Sequence, residues 1–187
     1  MSELRIAMAQ INSSVGDLEG NQKKIIDCIN KAKNSRADII AFPELSVTGY
    51  PPQDLLFNKK FIQRNQEVLN EIVSESKNIT SIIGFVDKDN NNNLYNSAAI
   101  ISDKTIACIY HKIYLPNYGV FDEKRYFSKG KTPKLFLLEN IKIGISICED
   151  IWHPRGPILE QANQGAQLSI NINGSPYHSG KKKIREN

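Results

Sequence analysis

Three apolar, β-branched runs in this chain each end on a residue equipped for chemistry, and that pattern constrains the fold more than any other feature. Ile39-Ile-Ala-Phe-Pro43 delivers Glu44, Ile106-Ala-Cys-Ile-Tyr-His111 delivers Lys112, and Ile141-Lys-Ile-Gly-Ile-Ser-Ile147 delivers Cys148. Short apolar runs of this kind read as buried strands. A buried strand that stops at a polar residue presents that residue to a pocket at the end of its sheet. An acid, an amine and a thiol at three strand ends are the parts of a cysteine hydrolase that uses no histidine.

The rest of the pattern is that of an α/β layer fold. Ile25, Cys28, Ile29 and Ala32 fall on one face of a helix over 21–34, with Cys28 expected in the core. A second helix is expected over 58–77, burying Phe61, Leu69, Ile72 and Val73, and a third from His153-Pro154 to Gln164. Strands are expected over 4–9, 38–42, 79–86, 94–102, 105–111, 134–138, 141–147 and 167–172. The polar stretch 87–93, with four consecutive asparagines, is the turn between two of them. Cys108, embedded in Ile-Ala-Cys-Ile, is expected to be core.

Composition narrows the possible functions. With 187 residues the chain can bury one sizeable core. A net charge of +4, from 24 Lys and Arg against 20 Asp and Glu, is too slight and too dispersed to point to nucleic acid. The densest basic run, Lys181-Lys182-Lys183, reads by itself as a solvated face. No stretch approaches the roughly 20 apolar residues a membrane-spanning helix needs, and Met-Ser-Glu-Leu-Arg-Ile lacks a signal peptide's basic and apolar regions. Three cysteines without CxxC or CxxxH spacing suggest neither a disulfide frame nor a metal site, so the expected compartment is the cytoplasm.

The three strand ends complement one another chemically. A thiol attacks poorly until it loses its proton, so it needs a base or a cation nearby. Glu44 can act as that base, and Lys112 and the backbone N–H after Cys148 can stabilise the oxyanion of an attacked amide. Each residue also has an ordinary structural use: a loop carboxylate or helix cap, a solvent-facing lysine, a core cysteine. Spacing alone does not decide between them. Strand alternation turns His111 away from the face of Lys112, and His153 and His178 lie in turn-rich segments where exposure is the default.

The wording of the motifs adds to this. Phe42-Pro43-Glu44-Leu45, His111-Lys112 with Pro116-Asn117-Tyr118-Gly119-Val120-Phe121-Asp122-Glu123, and Ile147-Cys148-Glu149-Asp150-Ile151-Trp152 occur in that order and resemble the nitrilase superfamily. The resemblance runs from the first strand to Asn173-Gly174-Ser175-Pro176. Within the superfamily it is strongest to the glutaminase domains of bacterial glutamine-dependent NAD synthetases. Thr48-Gly49-Tyr50-Pro51-Pro52-Gln53-Asp54, Leu115-Pro116-Asn117-Tyr118 and Gly174-Ser175-Pro176-Tyr177 with Gly180-Lys181 carry that part of it.

The resemblance implies a four-layer α-β-β-α sandwich over 1–187, with glutamine as substrate and homo-oligomeric assembly. It makes Glu44 the proton acceptor, Lys112 the oxyanion-stabilising amine and Cys148 the nucleophile. Glu123 resembles the extra glutamate beside the lysine, with Glu149 in support, and Tyr50, Tyr118, Ser175 and Lys181 resemble the glutamine-binding set. A glutamine α-carboxylate calls for a cation such as Lys181, and its α-amino group calls for acceptors such as Ser175 or Glu149.

The same resemblance implies a partner domain in the full-length chain. ATP, Mg²⁺ and deamido-NAD belong to that synthetase domain, whose pyrophosphate-binding Ser-Gly-Gly loop is absent from these residues. The superfamily sandwich normally continues past this point, so the chain reads as an N-terminal segment that would leave sheet edges and apolar surface exposed. Two alternatives stay open on sequence: an amidase or carbamoylase for another small amide, and a catalytically silent assembly module.

Overall fold

The computed structural model describes residues 3–186. Eight strands and four helices form its framework: β1 (Ile6–Met8), α1 (Leu18–Asn34), β2 (Ile39–Ala41), α2 (Lys59–Glu75), β3 (Thr80–Lys88), β4 (Leu94–Ser102), β5 (Thr105–His111), β6 (Lys134–Leu138), β7 (Ile141–Ile147), α3 (Pro157–Asn163), β8 (Leu168–Ile172) and α4 (Lys181–Glu186). Strands β4 to β7 have the bounds expected from sequence. The first two strands and α3 are shorter than expected, and α1 begins three residues earlier. That earlier start has a local cause: Asp17 caps α1 by accepting from the Gly20 N–H. Asn58 caps α2 in the same way, accepting from Lys60 and Phe61.

Two sheets form. One has the order β1-β2-β3-β4-β5, parallel at β1-β2-β3 and antiparallel thereafter; the other has the order β6-β7-β8. The period-2 alternation of the strands explains how the sheets are covered. In β3, Ile83 and Phe85 pack with Ile25, Ile29, Leu69 and Ile72 of the helices. Its neighbour Ile82 turns the other way, joining Ile100 of β4 and Ile143, Ile145 and Ile147 of β7. Gly144, between those β7 isoleucines, faces α3, where a Cβ would lie 2.5 Å from Gln161 Oε1. The layers therefore run α1/α2, five-stranded sheet, three-stranded sheet, α3, which is the expected sandwich.

Each isoleucine fully removed from water adds about 1.5–3 kcal/mol, so the inter-sheet layer clamps β5 and β7 together. Those two strands carry Lys112 and Cys148 at their ends. Some expected core residues sit higher than anticipated: Cys28, Phe61, Val73 and Cys108 are only half-buried, at the margins of the clusters they pack against. Met8, on the edge strand β1, is 84% exposed. Among the described residues, no helix is long and apolar enough to cross a membrane.

Candidate active site

Glu44 sits in a tight loop that β3 has to accommodate. Leu45 has φ +49°, and both the Val47 N–H and the Ser46 hydroxyl donate to the Gly84 carbonyl. A Cβ at Gly84 would lie 2.3 Å from the Pro43 oxygen and 2.5 Å from the Leu45 nitrogen. Only glycine lets the loop lie on the strand so closely. Lys112 is pinned at both ends of its peptide unit, its N–H donating to the Asn96 carbonyl and its own carbonyl accepting from Gly130.

These two residues meet under cover. Lys112 Nζ donates to Glu44 Oε1 at 2.6 Å and to Glu123 Oε1 at 2.8 Å, with the lysine and Glu44 side chains wholly buried. Asn96 Nδ2 donates to Glu44 Oε1 at 2.8 Å, the Gly174 N–H donates to Glu44 Oε2 at 2.8 Å, and the Tyr50 hydroxyl donates to Glu123 Oε1 at 2.9 Å. Gly174 also has to be small: a Cβ there would meet Tyr50 Cγ at 3.0 Å and Glu44 Oε2 at 3.1 Å. Buried charges persist only when paired and hydrogen-bonded, as these are.

Two carboxylates against one ammonium leave an imbalance, and the titration behaviour shows where it falls. Burial pushes the Glu123 carboxyl up to about 7, and the charge of Glu44 pushes the same way against the pull of Lys112. Burial opposes the charge on Lys112, but Glu44 and Glu123 together outweigh it and raise its pKa. The ammonium therefore stays charged, and the Glu123 carboxyl is pushed toward neutral pH.

Cys148 opens a turn, Cys148–Trp152, directly after β7. It is 4% exposed and has φ +44°, a left-handed conformation that costs a non-glycine residue energy and recurs at functional sites. Burial pushes its thiol up to about 12, with Glu44 adding to the effect and Lys112 opposing it. The sequence suggests that Lys112 could favour a thiolate. In the structure its charge is already shared by two carboxylates, so the resting Cys148 side chain is a neutral thiol beside the Glu44 carboxylate.

The residues expected to bind glutamine are split. The Tyr118 hydroxyl donates to Glu149 Oε2 at 2.7 Å, and both line a hollow of about 560 Å³. Glu44, Tyr50, Gly174 and Ser175 line another of about 470 Å³. Lys181 joins the second through Ser175, whose hydroxyl accepts from its Nζ, and also donates to the Pro176 carbonyl at 2.6 Å. Tyr50 differs from the others because its hydroxyl is committed to Glu123, inside the cluster.

The histidines fall outside the cluster. His111 pairs with Asp87 at 2.8 Å and stacks on Tyr95, away from Lys112, while His178 is exposed. His153 is more involved than its turn-rich setting suggested. It stacks on Tyr114 with ring centroids 3.6 Å apart, approaches Glu149 Oε1 at 3.7 Å and lines the hollow with Tyr118. Sequence reasoning also missed Asn96, although an asparagine in mid-strand with apolar residues close by was a visible signal.

The α-β-β-α sandwich, here with a buried Glu-Lys-Glu cluster beside a cysteine turn, is a nitrilase-like fold. The family model for carbon-nitrogen hydrolases matches residues 5–185, and the chain belongs to that family. It is similar to the glutamine-dependent NAD(+) synthetases of Thermotoga maritima (42% identical over 189 residues, 100% of this chain and 32% of the relative) and Aquifex aeolicus (42% over 183 residues, 98% and 32%). Among solved structures, the glutamine-dependent NAD+ synthetase from Acinetobacter baumannii in complex with ADP superposes with a TM-score of 0.95 at 39% identity, covering 100% of this chain and 35% of that one. The chain thus spans about a third of the length of the curated relatives it matches.

Proposed function

We propose that this chain is the ammonia-producing part of a glutamine-dependent NAD synthetase, hydrolysing the glutamine side-chain amide through Glu44, Lys112 and Cys148. The observation that carries this reading is the buried Lys112–Glu44 contact at 2.6 Å beside a cysteine in a left-handed turn. It fits the relatives, which are glutamine-dependent NAD(+) synthetases.

The chemistry follows from the resting state. Because the thiol is neutral, Glu44 takes its proton as Sγ bonds to the amide carbon. The carbonyl oxygen becomes an oxyanion, which accepts from Lys112 Nζ and the Glu149 N–H. The C–N bond breaks as Glu44 returns the proton to the departing nitrogen, leaving ammonia and a thioester. Water then attacks the thioester as Glu44 accepts one of its protons, and the C–S bond breaks as Glu44 passes that proton to the departing sulfur, releasing glutamate and restoring the thiol.

Glutamine is held by its α-groups: Glu149 and Tyr118 take the ammonium end, and Lys181 with Ser175 takes the carboxylate. The ammonia serves ATP-dependent amidation of deamido-NAD in a synthetase domain of the same full-length chain, where ATP and Mg²⁺ bind.

A glutamine-analogue electrophile, applied to the complete protein and followed by mass spectrometry, tests the reading. One adduct at Cys148, blocked by excess glutamine and absent from C148A, is the expected result. No adduct in the wild-type protein would refute it.

A further inference from the structure

Asp150 lies two residues beyond the nucleophile and touches none of the groups that react. It is fully buried, and its carboxylate accepts four hydrogen bonds. One is local, from the Ile147 N–H to Oδ2 at 3.0 Å, and it shapes the turn that Cys148 opens. The other three come from the far side of the inter-sheet layer. The Tyr110 hydroxyl donates to Oδ2 at 2.7 Å, and the N–H groups of Ile113 and Tyr114 donate to Oδ1 at 3.1 and 2.8 Å.

These donors bracket Lys112. Tyr110 sits two residues before it, on β5 of the five-stranded sheet, and Ile113 and Tyr114 follow it immediately. The local donor ends β7 of the three-stranded sheet. A turn-capping aspartate needs only the local bond. The three distant ones have a different consequence: they fix one catalytic strand end to the other. We propose that Asp150 is a positioning residue that locks the Cys148 turn to the strand end carrying Lys112, so that one buried carboxylate sets the nucleophile's place relative to the ammonium across the two sheets.

The chemistry of the residue supports this. An ionised carboxylate offers about four acceptor positions and no donor, and here every one is used. Asparagine has the same shape but carries two donors, so it satisfies one side of the lock and confronts N–H or O–H groups on the other. The tie breaks while the volume is kept. A nucleophile misplaced by about 1 Å loses on the order of 100-fold in rate. Of the proposed binding groups only Glu149 rides on this turn, while Tyr118, Ser175 and Lys181 lie outside it, so substrate affinity changes far less than rate.

The kinetic side of the inference rests on the glutaminase reading, so the test pairs kinetics with a measurement that needs no substrate. In the complete protein, D150N is expected to lower kcat for glutamine by about 10- to 100-fold with KM within about threefold of wild type. Its crystal structure is expected to show the Cys148 Sγ displaced from Lys112 Nζ by more than about 0.5 Å relative to wild type. A Cys148 turn that keeps its place and its left-handed φ in D150N overturns the proposal, whatever the activity does. A wild-type protein without glutaminase activity defeats the functional reading alone, and the crystallographic comparison still decides the lock.

Should D150N fail to fold, Y110F removes one distant donor and leaves the local one. It is expected to lower kcat by about 3- to 10-fold at constant KM, and an unchanged kcat there overturns the proposal.

Discussion

The two halves of the site are built on opposite principles. In the inner half, Glu44, Lys112 and Glu123 are buried, and each charge is met by partners the chain itself supplies. In the outer half, Tyr118 is 59% exposed, Ser175 and Lys181 are only partly covered, and their polar groups bond each other or nearby carbonyls. Groups proposed to react need a geometry independent of substrate, which burial among fixed partners supplies in advance. The groups that bind need donors and acceptors that can be released to a ligand, so they stay near water.

The sharpest way to break this contrast is to remove the inner cation. K112M leaves two buried carboxylates unpaired, and losing one partner of a buried ion pair costs about 3–5 kcal/mol. Urea unfolding of the complete protein should show a loss of that size, and glutamine turnover should fall by about 10²–10³-fold with the oxyanion donor. A melting curve like that of the wild type would mean that the inner cluster is less dry than its geometry indicates.

An outer substitution should behave differently. K181A is expected to change stability by no more than about 0.5 kcal/mol, as exposed positions do. Its effect belongs in binding: KM for glutamine rises about 10-fold or more while kcat changes little. An unchanged KM would remove Lys181 from the binding set.

A further test of the inner half lies in its pH dependence. Burial raises the Glu123 pKa from 4.5 to about 7. Below pH 4.5 the folded and unfolded states both hold the proton. Between 4.5 and 7 only the folded state keeps it, so this contribution to stability is full at low pH and is lost as pH rises through about 7. Thermal unfolding at pH 5 and pH 7.5 should therefore show a larger drop for wild type than for E123Q. Parallel profiles would assign the buried proton elsewhere.

How much of this was legible in the sequence divides along the same line. Strands β4 to β7 could be bounded to the residue because their apolar runs stop at turns. Glu44, Lys112 and Cys148, the candidate reactive groups, were legible because each sits at such a stop. What could not be read were ties between distant residues: Asn96 reaching Glu44 from 52 positions away, the Tyr50 hydroxyl serving Glu123 from 73, and Asp150 reaching Tyr110 from 40. No period or motif marks such pairs, because tertiary packing alone brings them together. His153 was missed for the same reason, its stacking partner Tyr114 lying far away in sequence.

The state of Cys148 also bears on how the protein withstands oxidants. Peroxides oxidise the thiolate, and burial pushes this thiol far up, to about 12, so that at pH 7 it rests protonated. At 4% exposure it is also shielded from solution. In its proposed role as nucleophile Cys148 would be shielded between turnovers by the same burial that makes deprotonation hard.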